Sequence, residues 1–195
     1  MFIDFSGGKF RLGGSALVQV VEQLGDEAPD VNARLLKCGV LAVQQLIKRG
    51  LVLAGHDRSD GGLITCLLEM AFAGNCGFDI NLQSLGESNQ LALLFAEELG
   101  AVIEYLPKHE QLIRNILKQY GLNKHSHVLG YTVYGKNAMI ANYPPLHVPS
   151  LRKSWFETAV ELDKLQTNPN CAQAYATSRY NSIGLQFNLS YKPKP

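Results

Sequence analysis

One stretch of this sequence limits its fold more than any other: residues 54–74, AGHDRSDGGLITCLLEMAFAG. The apolar segment LVLAG at residues 51–55 is bounded by glycine, which predicts a short buried strand. Residues 63–72 predict a helix that Gly74 closes. The polar residues between these two elements therefore form a tight turn that leads from a strand directly into a helix.

The turn contains five residues that suit the binding of a metal and a phosphate: Asp57, Ser59, Asp60, Gly61 and Gly62. The first backbone N–H groups of a helix have no partner within the helix, and together with the helix dipole they attract a phosphate. A carboxylate such as Asp57 is able to bind Mg²⁺, which completes its coordination with phosphate oxygens and water. Ser59 offers a hydroxyl to a phosphate oxygen or a metal-bound water, and the glycines let a ligand approach the backbone.

A purely structural interpretation fits the same turn. In that interpretation Asp60 or Ser59 caps the helix, and the two glycines only form the turn. The two interpretations are compatible if Asp60 is the cap and Asp57 is the ligand. Spacing alone leaves both open.

A second glycine turn occurs near the N-terminus, in the segment FSGGKFRLGGSALVQV. Gly13, Gly14 and Ser15 precede a predicted helix, and the basic residues Lys9 and Arg11 lie close by in the sequence. This turn is a second candidate for a phosphate site. The alternative is a glycine turn that enters a helix, with the basic side chains in solvent. The segment does not match the common P-loop pattern G-x-x-x-x-G-K-[ST].

Three further residues are candidates for acid–base groups. Glu97 and Glu98 in LFAEELGAV offer carboxylates, but their place at the end of a predicted helix favours an exposed polar face. His56 adjoins Asp57 at the end of the predicted strand. For His56 a paired, partly buried imidazole is the alternative to a catalytic role.

Composition narrows the class of protein. The chain has 18 Lys and Arg against 17 Asp and Glu, so it lacks the basic surface typical of nucleic-acid-binding proteins. It contains no apolar run near the ~20 residues that span a bilayer, and its first ten residues lack the apolar segment of a signal peptide. Four cysteines without a CxxC pair predict reduced thiols and a cytoplasmic protein, namely Cys38, Cys66, Cys76 and Cys171.

The order of predicted elements indicates an α+β fold, a mixed β-sheet with packed helices. Predicted helices cover residues 15–24, 30–47, 63–72, 90–99, 107–120 and 150–166, with Asp30 as a cap of the second. Predicted strands cover residues 51–55, 77–82 and 101–106, and two more, in HVLGYTVYG and AMIANY, suggest a hairpin around residues 135–137. After residue 168 no periodicity is sustained, which predicts a linker or an arm.

Several of these segments together resemble a known family. GHDRSDGGLITCLLEMAFAGNCGFDINL, LFAEELGAVIEYL, FRLGGSALVQVVEQLGDEAPDV and SLRKSWFETAVELDKLQTNPNCA are similar to the large, single-chain type of phosphoribosylformylglycinamidine synthase. The D-x-S-D-G-G turn alone would indicate only the wider superfamily of aminoimidazole ribonucleotide synthetase, selenophosphate synthetase and thiamine-phosphate kinase. The resemblance implies a fold like the C-terminal domain of aminoimidazole ribonucleotide synthetase.

The resemblance also implies a reaction and site residues. The family is a ligase of purine biosynthesis that converts ATP, glutamine and formylglycinamide ribonucleotide into formylglycinamidine ribonucleotide, ADP, phosphate and glutamate. Asp57 matches the family's Mg²⁺-binding aspartate and Ser59 its nucleotide-contacting serine, with Gly61 and Gly62 in support. No residue of this chain matches a catalytic nucleophile of the family, and one nucleotide site in the family is auxiliary and holds ADP.

The same resemblance predicts the domain organisation. Residues 1–166 match the C-terminal half of the family's second synthetase-like repeat, and residues 167–195 match a linker toward a glutaminase domain that this sequence does not contain. We therefore expect the chain alone to be inactive and its partners to be the remaining domains of a longer protein. The alternatives are a synthetase or kinase domain for another substrate, and a structural domain that binds no ligand.

Overall fold

Strands and helices alternate irregularly in the computed structural model, which describes residues 1–181. The strands are β1 (Phe2–Asp4), β2 (Ala54–Asp57), β3 (Gly77–Ile80), β4 (Gly100–Glu104), β5 (Ser126–His127), β6 (Gly130–Val133), β7 (Asn137–Ile140) and β8 (Leu146–His147). The helices are α1 (Ala16–Val20), α2 (Ala33–Lys48), α3 (Gly62–Gly74), α4 (Gln90–Phe95), α5 (Glu110–Gln119), α6 (Val148–Gln166) and α7 (Pro169–Asn181). Short 3-10 turns lie at Gln83–Leu85, Pro107–His109 and Asn123–His125.

The first sheet has the order β2–β4–β1–β5 and is antiparallel throughout. The N-terminal strand β1 lies inside it, and all three of its residues are buried. Ile3 of β1, Leu46 of α2 and Ile113 of α5 are fully buried in one hydrophobic core. The apolar faces that the sequence predicts for α2 and α5 therefore pack against this sheet.

The second sheet has the order β6–β3–β7–β8, and this order contradicts the predicted hairpin. Strands β6 and β7 do not pair with each other, because β3 lies between them, antiparallel to β6 and parallel to β7. Gly77 and Gly130 allow this close pairing, since a Cβ atom on either would collide with the backbone of the neighbouring strand. A strand from earlier in the chain thus takes the place that a local hairpin would have used.

Several predicted boundaries differ from the structure, among them the end of the helix predicted over residues 90–99, which stops at Phe95. The cap of α2 is Asn32, whose side chain accepts from the N–H of Leu35, rather than Asp30. Helix α1 has 5 residues instead of the predicted ten, because most of the apolar face predicted for it, including Val20, remains exposed and is not stabilised by packing. Strand β2 begins at Ala54 and is an exposed edge strand, so the prediction of a buried strand is wrong.

The α+β fold class with mixed sheets is confirmed. At the C-terminal side, α7 follows α6 closely, and Ala172 and Ala176 of α7 are buried. Residues 169–181 are therefore helical although their sequence shows no apolar periodicity. The predicted domain boundary at residue 166 stays a prediction, and residues 182–195 of the predicted linker lie outside the described residues. No helix within residues 1–181 is long and apolar enough to cross a membrane.

The cysteines are free thiols, as the sequence predicts. Cys66 is buried on α3, and this burial raises the pKa of its thiol to about 12. Cys171 is exposed.

Candidate functional site

The turn between β2 and α3 has the geometry that its glycines permit. Gly61 is the N-cap residue of α3 with φ +78°, and Gly62 follows with φ +73°. The N–H of Gly62 donates to the carbonyl of Ser59 at 3.0 Å, which closes the turn. A Cβ atom on Gly62 would lie 2.6 Å from the carbonyl oxygen of Leu94. Both glycines are thus needed for backbone conformation, and Gly62 also for close packing.

The side chains of Asp57, Ser59 and Asp60 point away from the core. All three residues are exposed, and the Asp57 side chain is 79% accessible. The structural interpretation of the turn is wrong in one respect, because the N-cap position belongs to Gly61 rather than to Asp60 or Ser59. The N–H of Gly61 donates instead to Oε1 of Glu97 at 2.7 Å.

Arg58 anchors the same turn to the core. Its guanidinium donates to the carbonyl oxygens of Glu98 and Leu99, lies 3.6 Å from the Asp4 carboxylate and stacks 4.8 Å from the centre of the Phe2 ring. Burial lowers the pKa of Arg58 to about 10, and the charges of Asp4 and Glu98 oppose this effect. Because Arg58 points inward, the side chains on either side of it remain in solvent.

His56 is the paired, partly buried imidazole that the sequence allows as an alternative to catalysis. Its Nε2 atom lies 3.2 Å from the carboxylate of Glu69 and its Nδ1 atom 3.5 Å from that of Asp57. The ring lines a cleft of about 640 Å³ between the two sheets, whose other walls are mostly apolar. The sequence does not point to Glu69, because this residue lies within α3 and its contact with His56 joins two different elements.

The second glycine turn is held by the same carboxylate as the first, that of Glu97. The N–H of Ala16, the first residue of α1, donates at 2.8 Å to Oε1 of Glu97. Ser15 is the N-cap of α1, yet its side chain makes no capping bond, and its buried hydroxyl has no partner in the described part of the chain. The Glu97 carboxylate therefore accepts a backbone N–H at the start of each of two helices, α1 and α3.

A buried ion pair fills the space behind the second glycine turn. Glu98 is fully buried, and Arg11 donates to its two carboxylate oxygens from Nε at 2.6 Å and from NH2 at 3.0 Å. The hydrogen bond to Glu98 raises the pKa of Arg11 further. The predicted exposed polar face for Glu97 and Glu98 is therefore wrong, as is the prediction of a solvated side chain for Arg11.

The sequence matches the family described as AIR synthase related protein, C-terminal domain, over residues 6–140. The chain belongs to this family. The match includes both glycine turns, the Glu97–Glu98 segment and all strands of the described residues except β1 and β8.

One relative extends over the whole chain. It is a phosphoribosylformylglycinamidine synthase from Dictyostelium discoideum, 36% identical over 224 residues, an alignment that covers all of this chain. The chain spans 16% of that relative's length. The resemblance found in the sequence motifs is thereby confirmed.

Solved structures confirm the fold of this AIR synthase related domain. Thermotoga maritima PurL complexed with ATP matches with a TM-score of 0.54 and 20% identity, over 75% of this chain and 24% of that one. The complex of the same protein with FGAR matches with a TM-score of 0.55 and 20% identity, over 66% and 22% of the two chains. At this identity the likeness extends to the fold alone.

Within the described residues, the side chains could supply only part of the ligands of a magnesium ion. Residues 1–181 contain no group of three or more His, Cys, Asp and Glu side chains that could hold a metal. Asp57 is a single exposed carboxylate at the end of β2, which suits an ion that takes its other ligands from phosphates and water. The N–H groups of Gly61 and Gly62 already have partners, so nucleotide contacts by these two residues stay a prediction.

Proposed function

We propose that this chain is the C-terminal half of a synthetase-like repeat in a phosphoribosylformylglycinamidine synthase, and that it contributes Mg²⁺–nucleotide binding. The observation that carries the proposal is the alignment of this whole chain, at 36% identity, with a part of the Dictyostelium discoideum enzyme. The longer protein would use ATP and glutamine to convert formylglycinamide ribonucleotide into formylglycinamidine ribonucleotide, in purine biosynthesis. Its remaining domains, including a glutaminase, would be the partners of this chain.

The exposed end of β2 supplies the groups for a nucleotide. In this proposal Asp57 holds Mg²⁺ and Ser59 donates its hydroxyl to a phosphate oxygen. Mg²⁺ would neutralise charge on the phosphoryl groups, a requirement of phosphoryl transfer. Arg58 fixes the backbone between these two residues from the core side, so both side chains project from a rigid segment.

Solved structures of nucleotide-bound proteins with this fold support the proposal that the longer protein binds a nucleotide. Structures of Thermotoga maritima PurL complexed with ATP and with ADP are both similar to this chain, with TM-scores of 0.54 and 0.53. The complex with FGAR is also similar. We infer that the nucleotide is ATP or ADP and that the acceptor substrate binds mostly to other parts of the longer protein.

An amide-resolved NMR titration of the chain with Mg²⁺ and ADP tests nucleotide binding. We expect saturable shifts for the amides of residues 57–63, and their loss in Asp57→Asn. Asp60→Asn is the matched control, because Asp60 is also exposed on this turn. Absence of shifts in the unmodified chain, or equal binding by Asp57→Asn, would contradict the proposed site.

A chimera tests the reaction of the longer protein. This chain replaces the matching segment of the Dictyostelium discoideum enzyme, and formylglycinamidine ribonucleotide is measured. We expect activity in the chimera and its loss when Asp57→Asn is included. A folded but inactive chimera would favour a domain for another substrate.

A further inference from the structure

The carboxylate of Glu97 is the point where the two glycine turns meet. Its Oε1 atom accepts from the N–H of Gly61 at 2.7 Å and from the N–H of Ala16 at 2.8 Å. Gly61 precedes α3 and Ala16 begins α1. One oxygen atom therefore links the turn that carries Asp57 and Ser59 to a turn near the N-terminus.

The backbone on both sides of Glu97 is held firmly. Ala96 and Glu98, its neighbours, are both fully buried. The guanidinium of Arg58 donates to the carbonyl oxygens of Glu98 and Leu99. Because the main chain cannot shift easily, the Glu97 carboxylate has a defined position from which to hold other groups.

The start of α3 depends on the segment that contains Glu97. A Cβ atom on Gly62 would lie 2.6 Å from both the carbonyl oxygen of Leu94 and the carbonyl carbon of Phe95, so α3 begins in direct contact with this segment. The hydroxyl of Thr65 donates at 3.1 Å to the carbonyl of Gly61 and fixes the other side of the turn. The conformation of residues 57–61 is therefore set by contacts at residues 94–98.

We propose that Glu97 is a positioning residue of the Mg²⁺–nucleotide site, holding the turn at residues 57–61 so that Asp57 and Ser59 face the ligand. The inference rests on the proposed nucleotide-binding function and deepens it. It also assigns different roles to the side chains and the backbone N–H groups of the turn. The carboxylate of Glu97 lies at the positive end of α3 and occupies the N–H of Gly61, so the phosphates would be held by the Ser59 hydroxyl and by an Mg²⁺ ion on Asp57 instead.

Three substitutions separate the reach of Glu97 from its charge. Glu97→Gln keeps the reach and an acceptor oxygen but removes the charge. Glu97→Asp keeps the charge but shortens the side chain by one methylene, and Glu97→Ala removes both. Glu27→Ala is the matched control, since Glu27 is a nearby carboxylate whose side chain is 74% exposed and bonds Arg11 rather than a helix N–H.

The first measurement does not depend on any ligand. Hydrogen exchange of the Gly61 and Ala16 amides is followed by NMR in each variant, with the melting temperature as a check of folding. In Glu97→Ala we expect both amides to exchange faster, by about tenfold for the loss of one hydrogen bond each. Glu97→Asp should show the same direction, whereas Glu97→Gln and Glu27→Ala should leave both rates nearly unchanged.

The second measurement is the affinity for Mg²⁺ and ADP. We expect Glu97→Ala and Glu97→Asp to weaken it by about tenfold, and Glu97→Gln to retain most of it. In a chain that already carries Asp57→Asn, the Glu97 substitutions should cause no further loss. This non-additivity distinguishes positioning of Asp57 from a general loss of stability.

The outcomes separate this inference from the proposed function. If only one of the two amides responds, Glu97 does not join the turns and the inference is overturned. If both respond but the affinity is unchanged, Glu97 is a structural link without a positioning role. If both respond and the unmodified chain does not bind Mg²⁺ and ADP, the proposed function fails and the positioning role with it. Should Glu97→Ala not fold, Glu97→Asp and Glu97→Gln give the same comparison.

Discussion

The two glycine turns of this chain are similar in sequence and differ in what they leave accessible. Each leads into a helix, and each gives its first free N–H to Glu97. Behind the turn before α1, Arg11 and Glu98 form a buried ion pair. The turn before α3 instead carries exposed polar side chains, namely Asp57, Ser59 and Asp60.

This difference shows that a glycine-rich helix start is not by itself a phosphate site. The N–H groups at a helix start need a partner, and a carboxylate distant in sequence can be that partner. What makes a turn suitable for a ligand is the side chains that remain in solvent after such partners are satisfied. By this criterion the turn before α3, with three exposed polar side chains, is the stronger candidate.

The largest effect on stability is expected from the buried ion pair behind the turn before α1. Glu98→Ala leaves Arg11 without its buried carboxylate partner, so that the carboxylate that remains paired with it is that of the exposed Glu27. We expect the melting temperature to fall by about 10 °C or more, measured by circular dichroism. Glu157→Ala, an exposed control on α6, should change it by less than about 2 °C. An equally small change in Glu98→Ala would mean that the ion pair is not structural.

Replacing one glycine of each turn by alanine compares the space around Gly14 with that around Gly62. Gly14 has φ +74° with no atom near a Cβ, whereas Gly62 has φ +73° and lies against the backbone of Leu94. We expect Gly14→Ala to lower the free energy of unfolding by about 1 kcal/mol and Gly62→Ala by more than about 3 kcal/mol. Urea unfolding measures both. Similar values would indicate that α3 can move away from residues 94–95.

Alanine substitutions at Asp26 and Asp57 separate ligand binding from stability. Asp26 contacts the turn before α1, and Asp57 belongs to the turn before α3. Asp26 accepts the N–H groups of Leu12 and Gly13, so Asp26→Ala should lower the free energy of unfolding by about 1 kcal/mol and leave Mg²⁺–ADP affinity unchanged. Asp57→Ala should weaken that affinity by about tenfold or more and change stability by less than about 0.5 kcal/mol. Calorimetry and urea unfolding measure the two quantities. Reversed results would exchange the roles of the two turns.

The smallest effects are expected from the two serines. The buried hydroxyl of Ser15 makes no hydrogen bond within the described residues, so Ser15→Ala should raise the free energy of unfolding by up to about 1 kcal/mol. Ser59→Ala should leave stability unchanged and weaken Mg²⁺–ADP affinity by about threefold. A stability loss in Ser15→Ala would indicate that its hydroxyl does have a partner in solution.

Local patterns predicted much of this fold. The strand, turn and helix around residues 54–74 were found because glycine signals and apolar runs lie next to each other. The pairing of β3 between β6 and β7 was missed, because alternation within a strand says nothing about which strand lies beside it. The helix predicted for α1 is too long, because its apolar residues recur at helical spacing but most of them remain exposed.

The exposed part of the candidate site was predicted and its support was not. Asp57 and Ser59 were selected from their place in the turn and from the family resemblance, and their roles stay predictions. The prediction of an exposed face for Glu97 and Glu98 is wrong because their partners, Gly61 and Arg11, are distant in sequence. One signal was available: a helix start with glycine at the cap position needs an acceptor from elsewhere in the chain.

The central place of β1 has a consequence for synthesis on the ribosome. Residues 2–4 leave the ribosome well before both strands that flank them, β4 and β5. The first sheet therefore cannot close until residue 127 has emerged, and until then β1 lacks at least one of its two flanking strands. Such long-range pairing slows folding, and during this interval the apolar residues of β1 are open to contact with other hydrophobic surfaces.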